Sequence, residues 1–135
     1  MKVVFIDANV FLRFFTKDDE GQHQKAAELL RKAAAGKVTV MSGPPVLFEI
    51  AWTLGSAYRQ PKEKVLDVLS AIAAMPGLKL LDQDVVEETL ALAKRTGAEF
   101  ADAYIAASAG KAGAGEVATF NRKHFERLGV ALADL

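Results

Sequence analysis

The chain has 135 residues, 51% of them apolar, and its seventeen basic side chains balance seventeen acidic ones. That length suits one compact domain with a single sizeable core. Net neutrality excludes the whole-molecule positive field of a protein that coats nucleic acid, but not a local basic rim. The absence of cysteine excludes disulfides, thiolate metal sites and cysteine nucleophiles.

The N-terminal run MKVVFIDANVFLRFF is apolar, but Asp7 and Asn9 interrupt it and no small-residue cleavage pattern follows. It reads as neither a bilayer span nor a signal peptide, and the expected location is the cytoplasm. Residues 3–6 form a continuous β-branched and aromatic run, which predicts a short, fully buried strand of a parallel sheet. Residues 9–15 read as a short helix. Residues 22–35 read as an amphipathic one with Ala26, Leu29, Leu30 and Ala33 inward, ended by Gly36. A second strand is expected at residues 38–41. Pro44 and Pro45 then open a helix, where a missing N–H costs nothing.

Pro61 begins the next helix, with Val65, Leu66, Leu69 and Ile72 on one side, and Pro76 and Gly77 end it. A third strand follows at residues 78–81. Asp82 or Asp84 can cap a helix running to Gly97, with Glu87 as capping-box partner to Asp84. Residues 100–109 form a helix rich in small residues. Beyond Gly113 and Gly115 a strand is expected at residues 116–120, a last helix at 122–128 and a short strand at 130–132. Strands separated by helices imply an α/β domain with a mostly parallel sheet of four to five strands. Ligands of such sheets bind beyond the strands' carboxyl ends, near a topological switch point, and Asp7, Thr119 and Asn121 all fall at strand ends.

Three acids stand alone in apolar stretches: Asp7 after Val3-Val4-Phe5-Ile6, Glu49 within PPVLFEIAWTLGSAY, and Asp102 within FADAYIAASAG. A carboxylate in such surroundings is costly unless it is paired, hydrogen-bonded or bound to a cation. No Lys or Arg lies inside these runs, so a fold that gathers the three acids would be compensated by a divalent metal. Each acid also has a plainer reading. Asp7 fits a helix cap, Glu49 fits a pair with a distant Arg or Lys, and Asp102 fits a first-turn acid favourable to the helix dipole.

Four segments in order, FIDANVFLRFF, PPVLFEIAWTL, FADAYIAASA and VATFNRKHF, resemble a PIN domain, most closely the VapC-like toxin ribonucleases. The resemblance covers nearly the whole chain. It implies a single PIN-like domain over residues 1–135, an α/β/α sandwich around the parallel sheet. It also implies Mg²⁺- or Mn²⁺-dependent hydrolysis of RNA phosphodiesters by metal-activated water. Asp7, Glu49 and Asp102 match the first three acids of the family's metal-binding cluster, and Asn9 and Thr119 match polar positions beside it. The fourth segment usually reads Thr-Phe-Asp. Here it reads Thr119-Phe120-Asn121, an amide that can ligate a hard cation or orient water but adds no charge. The resemblance further implies a cognate antitoxin partner and a homodimer.

Around these positions, Arg13 is the first choice for a substrate-positioning cation, ahead of Arg122 and Lys123. His124 reads as a general base or a solvated helix residue, His23 as solvated, Asn121 as an N-cap or a ligand, and Trp52 as core or interface. Two other readings stay open. One is an RNA- or antitoxin-binding scaffold weakened in catalysis by Asn121. The other is a phosphotransferase or phosphatase acting through Asp7, although Asp7-Ala8-Asn9 lacks a second aspartate.

Overall fold

The structure is a computed structural model that describes residues 2–135. The chain forms two compact units, Met1–Gln83 and Asp84–Leu135. The first carries β1 (Val3–Phe5), α1 (Ala8–Thr16), α2 (Glu20–Ala34), β2 (Thr39–Ser42), α3 (Pro44–Ser56), α4 (Lys62–Ala73) and β3 (Leu78–Leu80). Its three strands are all parallel, in the order β1-β2-β3, with Val4 opposite Val40 and Met41 opposite Lys79.

Local sequence explains these elements. Asp19 caps α2 by accepting a hydrogen bond from Gln22 N at 3.0 Å. Two prolines occupy the first turn of α3, where their missing N–H groups have no helical partner to lose. Along α4, Val65, Leu66, Leu69 and Ile72 are all buried, as their spacing predicts. Each such side chain contributes about 1.5–3 kcal/mol on burial. Phe11, Leu47, Ile50 and Val40 complete the apolar centre of this unit, all fully buried. Gly77 admits β3 because its φ of 81° is left-handed and a Cβ there would collide with the carbonyl of Ala33 on α2.

The second unit holds α5 (Gln83–Thr96) beyond its first residue, α6 (Phe100–Ala112) and α7 (Arg122–Arg127). Val86, Ala93, Ala103 and Phe125 are among its buried residues. Gly113 ends α6 in the left-handed region, where its N–H returns to Ala109 and Gly110. An ion pair between Asp84 and Lys111 ties α5 to α6. The Lys111 hydrogen bond, then that from Val85 N–H, holds the Asp84 carboxyl below its ordinary range.

Four expectations are corrected. The described residues contain three strands, not four to five. The segments at 116–120 and 130–132 meet only in an isolated parallel bridge, Val117 opposite Leu132, with N–H···O bonds of 2.9 Å on either side. The chain cannot extend further because the Thr119 hydroxyl accepts the N–H of Asn121 and turns it into α7. Second, β1 is not fully buried: it lies at the sheet edge, and Val3 and Phe5, on one face, are 59% and 57% exposed. Third, the strand order runs without reversal, so the described sheet has no switch point. Fourth, Asp84 lies inside the first turn of α5 and bonds Val85 N–H and Lys111, so it forms no capping box with Glu87.

Candidate functional site

Asp7 follows β1 and occupies the N-cap position of α1, with φ −83° and ψ 163°. The plainer reading of this residue is therefore right about position and wrong about chemistry. Its backbone carbonyl accepts from Val10 N–H, but its side chain makes no capping bond, and the residue is exposed. The seat beneath it is rigid. Ile6 donates its N–H to Met41 O at 2.8 Å, and the buried Ser42 hydroxyl donates to Ile6 O at 3.0 Å. Ser42, fully buried at the carboxyl end of β2, thus fixes the backbone that aims Asp7. Nothing in the local pattern Thr39-Val40-Met41-Ser42 signals this role, since the partner lies 36 residues away.

Glu49 is exposed on α3 and is the only charged residue of that helix. Trp52, one turn further on, is 71% exposed, so it is not a core residue. Asn9 is exposed in the first turn of α1. Arg13, on the same helix, belongs to a local network: it pairs with Asp18 at 2.9 Å and donates to Gln22 at 2.7 Å. Asp18 also accepts from Thr16 at 3.0 Å and from the Tyr58 hydroxyl at 2.5 Å. Tyr58, then Thr16, then the charge of Arg13 hold the Asp18 carboxyl below its ordinary range, and Asp18 in turn raises the Arg13 guanidinium. His23 is not simply solvated. It stacks on Phe14, and its Nδ1 lies 3.2 Å from Arg13 O.

In the second unit, Asp102 stands in the first turn of α6, where a carboxylate is favoured by the helix dipole. Its side chain is 23% exposed, and Oδ2 lies 3.5 Å from His124 Nδ1, an ion pair when the imidazole is protonated. Sequence distance hid this partnership as well. Asn121 takes the N-cap position of α7 without a side-chain cap, so its amide is not committed to the helix. Its N–H bonds Thr119 Oγ1 at 2.9 Å. Phe120, between them, is 90% exposed.

The structure thus joins Asp102 with His124 and Thr119 with Asn121, and it seats Asp7 and Glu49 exposed on the first unit. Among the described residues, no three His, Cys, Asp or Glu side chains form a group that could hold a metal ion. The PIN family model matches residues 4–131, a span that includes every one of these side chains and runs across both units. The chain belongs to the PIN-domain family. PIN domains are generally nucleases that use divalent metal ions, and PIN-domain proteins commonly bind RNA. No curated protein matches this PIN domain. None of its described helices is long and apolar enough to cross a membrane.

The donors suit the ion chemistry of the family. Asp7, Glu49 and Asp102 offer carboxylate oxygens and Asn121 an amide oxygen, the hard ligands that Mg²⁺ and Mn²⁺ prefer. The Asp7 and Asn121 side chains are not spent on capping their helices, which leaves their oxygens available to a ligand.

Proposed function

We propose that this PIN domain is a Mg²⁺- or Mn²⁺-dependent endoribonuclease, the toxin of a toxin–antitoxin pair acting in the cytoplasm. The observation that carries the reading is the seating of Asp7, an uncapped, exposed carboxylate on a backbone locked by Ser42 and Met41. Asp7, Glu49 and Asp102 match the family's ion-binding acids, and they are assigned as the ion's ligands on that resemblance. When bound, the ion supplies charge that polarises the scissile phosphoryl group and makes water acidic enough to attack it. Asp7 acts as the rigid ligand because its main chain is fixed on both sides. His124 orients the Asp102 carboxylate, and Asn121, held by Thr119, orients water with its amide. Asn9, two residues beyond Asp7 on α1, offers a polar group to the substrate backbone, and Arg13, a turn further along, would serve as its cation on leaving Asp18 and Gln22.

Two partners belong to the same reading. An antitoxin would cover the acidic site, and a second copy of the chain would make a homodimer. Trp52, an exposed aromatic on α3, is the type of side chain that interfaces bury.

Asn121 favours one alternative, a scaffold with weakened catalysis that still binds RNA or antitoxin, because the amide lacks the charge usual at that position. Calorimetric titration with Mn²⁺ separates the two. For the nuclease, Asp7→Asn weakens Mn²⁺ binding at least tenfold, by about 1.4 kcal/mol, and Asn121→Asp tightens it. Affinities unchanged in both variants would remove these side chains from the ion site.

A further inference from the structure

Phe120 is the most exposed large apolar residue among those described, at 90%, and a solvated phenyl ring forgoes the stabilisation that burial gives. Its setting is hydrogen-bonded and basic. The bond from Asn121 N–H to Thr119 Oγ1 fixes the turn on which it stands. The segment that follows, FNRKHFER, carries three formal positive charges, Arg122, Lys123 and Arg127, against one negative, Glu126. In a chain that is neutral as a whole, this is a local concentration of cation beside an open ring. Arg122 is itself held in place by a bond to Ala133 O at 3.2 Å. The same short stretch leads to His124, which reaches Asp102.

We propose that Phe120 is a base-stacking residue for single-stranded RNA. One unpaired base lies on the phenyl face, while Lys123, with Arg122 beside it, neutralises the adjoining phosphates. Every base offers a π-face, so the contact is tolerant of sequence, and a duplex, whose bases are already stacked, does not present one. Single-stranded RNA accounts for both halves of the patch, because a ring and cations together match a base and its phosphate. A protein interface would also bury a phenyl ring, but one ring flanked by cations matches the alternation of base and phosphate along a single strand, and the titration below decides between them.

The proposal rests on the ribonuclease reading, and the experiment keeps the two apart. Fluorescein-labelled 12-nucleotide RNA of mixed sequence is titrated in EDTA, single-stranded and as a duplex, against wild type, Phe120→Ala, Phe120→Leu and Phe120→Tyr. Stacking is worth enough per base that Phe120→Ala weakens single-strand binding about tenfold. Phe120→Leu fails to restore it, Phe120→Tyr restores it, and duplex binding changes little. With Mn²⁺ present, the alanine variant raises KM for single-stranded RNA and leaves kcat near wild type. Unchanged single-strand affinity in Phe120→Ala, rescue by leucine, or no measurable binding by wild type would each overturn the stacking role. Intact Phe120-dependent binding with no cleavage under any metal would uphold stacking and reject the nuclease instead. At a position this exposed, the melting temperature of every variant stays that of wild type, so lost binding is not lost folding.

Discussion

At the scale of single residues, the seat of Asp7 depends on a side chain outside the candidate site. Ser42 donates its hydroxyl to Ile6 O from a fully buried position, and removing that donor strands a carbonyl beneath the candidate carboxylate. Ser42→Ala is expected to cost about 1–2 kcal/mol in denaturant unfolding and to lower kcat in RNA cleavage by loosening the seat of Asp7. A variant as stable and as active as wild type would show that Ile6 needs no such partner. The acids themselves were legible in the sequence, because a lone carboxylate in an apolar run is conspicuous. Ser42 was not, nor was His124 as the partner of Asp102, because each bond joins residues far apart in the chain. The expectation that burial would force the acids to seek a metal also changes form. Asp7 and Glu49 are exposed, so their availability, not their desolvation, is what the structure offers a ligand.

At the scale of elements, the helices and the first three strands follow from period and punctuation. The α4 stripe, the prolines of α3 and the glycine after α6 each fall where the pattern puts them. The segment at 116–120 misled because Val117, Thr119 and Phe120 have the composition of a strand, whereas a hydroxyl–backbone bond stops the extension. The network around Asp18 was equally hidden. It ties the end of α1, the turn into α2 and Tyr58 beyond α3, and Asp18 is its shared acceptor. Its carboxyl lies below the ordinary range in the folded state, so its contribution is present at neutral pH and lost as pH falls through that lowered value. Asp18→Asn is therefore expected to melt a little earlier than wild type at neutral pH. The gap should close well below the ordinary carboxylate range, where the wild-type side chain is protonated too. A gap independent of pH would mean that the network works by shape rather than charge. Since every member is solvated, the effect is a small one.

At the scale of the whole molecule, the family match runs from residue 4 to residue 131 and so draws on both units. The first unit carries a parallel sheet with Asp7 after β1, and the second unit, taken by itself, carries Asp102 with His124 and the Thr119–Asn121 turn. The overall charge balance fits a protein that engages RNA locally rather than coating it, with the basic stretch after Phe120 as the local exception. The most direct test of metal-dependent RNA hydrolysis through Asp7 is a cleavage assay on a total small-RNA pool. Metal-stripped protein is incubated without divalent ions and with Mg²⁺ or Mn²⁺, beside an Asp7→Asn variant. Cleavage that returns with metal and falls at least a hundredfold in a stably folded Asp7→Asn protein, about 2.7 kcal/mol of transition-state stabilisation, is the expected result. Cleavage that persists in that variant, or none under any metal, would contradict it.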